Sequence, residues 1–303
     1  MSSALIQAYD VQESLIRRET IGEFVDPKIT SGKDKSLEGD WYSEEAVLNW
    51  YRQNTNLPII FYSEEHGVVE TFSNPELLAV LDGWDGSSKL KVNSNADGGT
   101  MLAVAEALDP KYSDFVFGGA TEHSRGLVVY AEKDWGLWKV EMQGHRETAV
   151  KISPIERKKF SHQTRIHVDD EQFYENYARG VTSGLDTIAG LVRKTFSGKL
   201  KKSGFENLTG KNSSSSMCLD LILGNVAAVC GVIAKGVFEP PAEYVMLREI
   251  GGVLIAGTES ENEKRNWQLI DNEKWLEFGR PLTPLIRAAN EEIGWKIVEE
   301  IER

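Results

Sequence analysis

Leu77-Leu78-Ala79-Val80-Leu81 runs directly into Asp82-Gly83-Trp84-Asp85-Gly86-Ser87-Ser88. Consecutive apolar residues of this kind read as a buried strand, and the abrupt change to acid and glycine ends it. The pair Asp82 and Asp85 then sits on one tight loop, where Gly83 and Gly86 permit the turns and the Trp84 carbonyl can face the same point. Two carboxylates and a carbonyl are hard oxygen donors of the kind magnesium takes. Asp-Gly is also the commonest turn dipeptide, so the stretch taken alone reads more simply as a surface turn.

Working outward, Leu57-Pro58-Ile59-Ile60-Phe61-Tyr62 is a second apolar run, and it stops at Ser63-Glu64-Glu65-His66-Gly67. Two strands therefore end in acids, and ligand sites of open α/β sheets collect beyond strand ends. Before them, Tyr42, Ala46, Val47, Trp50 and Tyr51 recur at helical spacing, with Ser43, Glu44, Glu45 and Asn49 on the wet face. Asp40 falls where the N-cap of that helix belongs. Residues 5–24 read as an amphipathic helix. Residues 100–108, 115–119 and 126–131 read as strands, followed by a turn and strand at 135–138.

The second half is less patterned. Residues 139–167 are polar, a helix is expected at 169–177, another element at 184–193, and a Lys/Gly/Ser-rich loop at 197–216. Then come a helix at 217–229, a strand at 233–238, a helix at 242–250 closed by Gly251-Gly252, a strand at 253–256, and a terminal helix at 284–301 capped by Thr283. The pattern is mixed α/β without internal repeats. It is read as one unit over 1–303, with a metal-site half at 1–140 and a substrate-side half at 141–303.

Composition narrows the partners. The chain has 303 residues, 41% hydrophobic and 27% charged, with a formal net charge of -13. Such an acidic chain repels nucleic acid and anionic lipid, and the basic cluster of Lys199, Lys201 and Lys202 is too short to reverse that. A phosphate substrate would need bound cations to invert the local field. Cys218 and Cys230 lie in an apolar stretch and act as small hydrophobes, without a disulfide framework, so a cytoplasmic setting is expected. The N-terminus meets Asp10 and Glu13 early, unlike a signal peptide. The longest apolar run, 219–237, is broken by Asp220, Gly224, Asn225, Gly231 and Lys235, and reads as core helix plus strand rather than a membrane span.

The ordered series Gly39-Asp40, Ser63-Glu64-Glu65 and Asp82-Gly83-Trp84-Asp85-Gly86-Ser87-Ser88 resembles the lithium-sensitive, magnesium-dependent phosphatase superfamily. That group includes inositol monophosphatases, fructose-1,6-bisphosphatases and bisphosphate nucleotidases. Late in the chain, Phe238-Glu239-Pro240-Pro241-Ala242-Glu243-Tyr244-Val245-Met246 leading to Gly251-Gly252 resembles the fructose-bisphosphatase branch, as does Ser216-Met217-Cys218-Leu219-Asp220. Two positions depart from the family: Gly83 stands where proline is usual, and Trp84 replaces a smaller aliphatic residue. The Arg-Tyr expected before the Ser-Met motif is Asn212-Ser213 here.

The resemblance implies an α/β fold of alternating helix and sheet layers, of the sugar-phosphatase type. It implies two or three Mg2+ ions, with Mn2+ as a substitute, on Glu64, Asp82, Asp85, Glu239 and the Trp84 carbonyl. Asp40, Glu65 and Ser87 would be the catalytic groups. Gly86, Ser87, Ser88, Ser215 and Ser216 would meet the substrate, while Asp220 would serve structure. The implied activity is hydrolysis of a small phosphorylated metabolite, a sugar phosphate or inositol phosphate, by a homo-oligomer. A nucleotide phosphatase and a catalytically weak phosphate-binding protein of the same fold stand as alternatives.

Overall fold

The computed structural model describes residues 1–26, 29, 36–87, 90, 97–142, 148–153, 165–168, 206–207, 213–233, 237–259, 265–278 and 283–302. The elements expected at 169–177 and 184–193, the basic cluster at 199–202 and the Ser88 position lie outside these residues.

The deciding stretch forms β3 (Leu77–Asp85), which continues through the acids instead of stopping at Leu81. Its apolar residues divide by parity, as side chains of a strand must. Ala79 and Leu81 enter one core and Leu78 and Val80 the other. A strand covered on both faces reads in sequence as an unbroken apolar run. β3 lies beside β1 (Ile59–Ser63) in parallel, with Ser63 opposite Leu81, so the acids that follow both strands emerge at one edge.

Around this pair an 8-stranded sheet takes the order β2-β1-β3-β4-β5-β6-β7-β8. The added strands are β2 (Gly67–Glu70), β4 (Gly99–Ala105), β5 (Phe115–Glu122), β6 (Leu127–Glu132), β7 (Gly136–Glu141) and β8 (Val150–Ile152). All their pairings are antiparallel. One face is covered by α1 (Ser2–Arg17) and α2 (Glu38–Asn54), through Leu5, Ala8, Tyr9, Val47, Leu48 and Tyr51. The other face meets α3 (Ser214–Ile222) and α4 (Glu239–Arg248).

Beyond α3 and α4 lies a second sheet of 6 strands, ordered β10-β9-β11-β14-β12-β13. It comprises β9 (Arg165–Val168), β10 (Glu206–Asn207), β11 (Ala228–Ile233), β12 (Val253–Glu259), β13 (Arg265–Leu269) and β14 (Thr283–Ala288). The short α5 (Trp275–Phe278) precedes β14, and α6 (Glu291–Glu302) packs against this sheet at Val253, Ile255 and Ala288, opposite Gly294. The chain thus alternates helix and sheet layers, the α/β arrangement expected.

Several boundaries differ from the sequence reading. The first helix ends at Arg17, and Glu19 takes a left-handed φ of 62° just beyond it. The helix expected at 217–229 stops at Ile222, where Gly224 turns the chain at φ 79°, and Ala228 already begins β11. Cys230 is therefore a strand residue; both cysteines are buried and free. The largest error is at the end. Residues 283–288 are a strand between β11 and β12, and α6 starts only after Asn290, whose side chain accepts the Ile293 N–H at 2.9 Å. Pro284 is tolerated because it lies beyond the last pair with β12. Among the described residues, no helix is long and apolar enough to cross a membrane.

Candidate metal centre

Asp82 and Asp85 are three positions apart, a spacing that puts two side chains of a regular strand on opposite faces. The ladder to β4 shows what changes this: Asp82 pairs with Met101, but Asp85 pairs with Gly99. β3 thus carries one extra residue here, a β-bulge, which brings both acids to the same side. The acids sit on a bulged strand end and not on the tight loop that the glycines suggest. Glu239 joins them from the first turn of α4. Asp82, Asp85 and Glu239 each offer a carboxylate oxygen, all within 4.8 Å of one another.

The two departures at the bulge have local explanations. A Cβ at position 83 would lie 2.1 Å from the backbone oxygen of Asp40 and 2.7 Å from its carbonyl carbon. Gly83 is therefore the contact point between β3 and α2. The Trp84 side chain turns into a small core with Leu15, Ile21, Leu37 and Leu90 and anchors the bulge from behind.

Asp40 is not the N-cap of its helix. α2 starts at Glu38 with Leu37 as the capping position, so Asp40 lies inside the first turn, where a negative charge suits the helix dipole. Its carboxyl group is buried and hydrogen-bonded to Ser87. Glu64 is exposed on the turn after β1, outside the close trio, yet near enough to act on Asp82, Asp40 and Glu239. The Glu65 carboxylate accepts the Ser36 hydroxyl.

The serines at α3, expected to meet substrate, stand beside the acidic trio. The Asp85 carboxylate accepts the Ser213 hydroxyl at 2.7 Å and the Ser215 N–H at 2.5 Å. Ser213 also caps α3 by accepting the Ser216 N–H. The Ser216 hydroxyl lies 3.4 Å from the Arg125 guanidinium, which in turn pairs with Asp220 at 2.7 Å. Asp220 also meets His167 at 2.9 Å and Asn225 at 3.0 Å, a structural tie between the two sheets.

Glu44 is the residue that sequence reasoning missed, having placed it on the wet face of α2. It is fully buried. Its carboxylate takes the Ser63 hydroxyl, the N–H groups of Glu64 and Glu65 at 3.1 Å and that of His66 at 3.3 Å, with His66 Nδ1 at 2.9 Å. It shapes the turn that carries Glu64 and Glu65. Its spacing of one helical turn after Asp40 was the only signal in the sequence.

Electrostatically, the trio gathers like charges, with Asp82 and Asp85 buried and Glu239 half-buried. Burial, then the charges of Glu64, Glu239, Asp85 and Asp40, hold the Asp82 carboxyl well above the usual carboxylate range. Burial raises Asp85 too, opposed by the donors from Ser215 and Ser213. Burial and the neighbouring Asp85 push Glu239 up to about 8. Asp82 Oδ1 is buried without a hydrogen-bond partner among the described residues. An orphaned buried carboxylate oxygen, on a residue grouped with two further acids, fits a hard divalent cation such as Mg2+.

These shifts predict a pH dependence. The folded, metal-free protein keeps these protons to higher pH than the unfolded chain, so its stability falls as pH rises from about 4.5 to about 8. In EDTA the melting temperature should decline across that window, and millimolar Mg2+ should flatten the decline. A metal-free melting temperature that rises from pH 5 to pH 8 would contradict the buried acidic cluster.

No protein-family model and no curated protein sequence matches this chain. Solved structures do. A Pyrococcus horikoshii protein described as having similarities to inositol-1 monophosphatase superposes with a TM-score of 0.64 at 14% identity, covering 99% of this chain and 96% of that one. The extragenic suppressor protein SuhB from Bartonella henselae gives 0.66 at 13%, covering 99% and 98%. An inositol monophosphatase from Zymomonas mobilis gives 0.62 at 12%, covering 100% and 97%. Over nearly its whole length, therefore, the chain has the fold of the inositol monophosphatases.

Proposed function

We propose that this protein is a magnesium-dependent phosphomonoesterase acting on a small sugar phosphate or inositol phosphate. The observation that carries the proposal is the convergence of Asp82, Asp85 and Glu239, from β3 and α4, within this fold. Those three residues would hold the metal, joined by Glu64 and the Trp84 carbonyl; Mn2+ would substitute. When bound, the metal supplies Lewis acidity toward the phosphate oxygens and lowers the pKa of a coordinated water.

The chain's own groups then have separable tasks. The hydrogen-bonded pair of Asp40 and Ser87 would orient the attacking water and take up its proton. Glu65, held by Ser36, would support that side of the site. The backbone of Gly86, Ser87 and Ser88 would donate to the phosphate. Ser215 and Ser216 would present hydroxyls and N–H groups to the substrate from the N-terminus of α3, which also fixes Asp85. The motif Phe238-Glu239-Pro240-Pro241 favours a sugar phosphate over an inositol phosphate. The setting would be the cytoplasm, with a soluble metabolite as substrate and a homo-oligomer as the working form.

A panel of phosphorylated sugars, inositols and nucleotides, assayed with Mg2+, with Mg2+ plus Li+, and with EDTA, tests this directly. Release of phosphate from one or more of them only with Mg2+, and inhibited by Li+, is expected. Equal rates with Mg2+ and EDTA, or no hydrolysis of any of them, would overturn the proposal.

A further inference from the structure

We propose that Gln12, Thr100 and Thr121 are positioning residues for the metal centre, forming a buried hydrogen-bonded ring that sets the β3 bulge. A bulge leaves the extra peptide group without its ladder partner, and a buried carbonyl needs a donor. The bulge between Asp82 and Asp85 contains Gly83, and side chains supply that donor. The Thr100 hydroxyl donates to the Gly83 carbonyl at 2.8 Å. The Gln12 amide donates to the same hydroxyl at 2.8 Å and reaches the Gly83 carbonyl at 3.4 Å. Thr121 closes the ring, donating to Gln12 Oε1 at 3.2 Å and accepting the Thr100 N–H at 2.8 Å.

The ring draws on three elements, α1, β4 and β5, and all three side chains are fully buried. Each hydroxyl in it both donates and accepts, so no member can be removed without orphaning another. Gly99 makes room for it: a Cβ there would lie 2.3 Å from both the backbone oxygen and the hydroxyl of Thr121. Since the bulge is what brings Asp82 and Asp85 to one side, the ring acts on the metal through backbone shape. Neither Gln12 nor the threonines would touch metal or substrate.

This inference rests on the proposed metal-dependent function, and its test separates the two. Mn2+ binding is measured without substrate, by electron paramagnetic resonance, on wild type, Thr100→Val and Thr100→Ser, alongside melting temperature. Valine keeps the shape and removes the hydroxyl; serine keeps the hydroxyl. Thr100→Val should weaken Mn2+ binding by roughly 10–100-fold, as loss of outer supporting groups does at metal sites. Thr100→Ser should stay within about threefold of wild type, a shift of well under one decade in affinity. A lower melting temperature with unchanged Mn2+ affinity in Thr100→Val would overturn the inference and leave only a structural role. Should Thr100→Val fail to fold, Gln12→Met carries the same prediction, with unchanged Mn2+ affinity again overturning it. Failure of the wild type to bind Mn2+ would instead overturn the underlying metal-dependent function.

Discussion

Asp82→Asn should abolish magnesium-dependent turnover while making the metal-free protein more stable at pH 8. Asp82 is buried beside Asp85 and Glu239, with one carboxylate oxygen lacking any hydrogen-bond partner among the described residues. The asparagine is nearly isosteric but neutral, so it offers a poorer ligand and removes one of the crowded charges. The expected loss of rate is about 1,000-fold, or ~4 kcal/mol of barrier. In EDTA the variant should be more stable than wild type at pH 8, because one of the crowded charges held up by burial and its neighbours is gone. At pH 5 that gain should shrink, because protonation, of Glu239 first of all, relieves the crowding in the wild type. Urea denaturation at the two pH values measures it. A variant that is less stable than wild type at pH 8, with turnover retained, would contradict the site.

Gly83→Ala should be the most damaging small substitution near the site. The added methyl would meet the Asp40 backbone, not the yielding end of a side chain, at 2.1 Å. Either α2 or the bulge must move, and overpacking against rigid backbone costs about 3 kcal/mol or more. Asp40 would shift with α2, so turnover should fall alongside stability. Gly83→Pro, which restores the residue usual in the resembling family, should be no better, because its ring carbon occupies the same space. Urea midpoints and turnover at saturating Mg2+ test both variants. An alanine variant within 1 kcal/mol of wild type, with normal turnover, would show that the α2 contact is looser than it stands in the structure.

The substitution at Gly83 illustrates what was legible in the sequence and what was not. β1 and β3 could be read because strands covered on both faces become apolar runs, and the acids that end them stood out. Grouping Asp82 with Asp85 was also legible, but for the wrong physical reason. The glycines suggest a tight loop, whereas the grouping depends on a bulge defined by the register of β4. No local pattern encodes that register. Glu44 escaped notice because its partners are the N–H groups of a turn from another element, and burial of an acid by distant donors leaves no periodic mark. The strand Thr283–Ala288 was mistaken for the start of a helix because its apolar residues merge with those of α6, with only Asn290 marking the break. Glu239 was the opposite case. Periodicity alone makes it a helix-start acid, while the family resemblance groups it with Asp82 and Asp85, beside which it stands.

The most direct measurement of the central claim is anomalous diffraction from crystals soaked in Mn2+. A Mn2+ peak should appear within coordination distance of the carboxylates of Asp82, Asp85 and Glu239, and be lost in Asp82→Asn crystals. An ordered trio with no peak at saturating Mn2+, or a peak only elsewhere on the protein, would contradict the account.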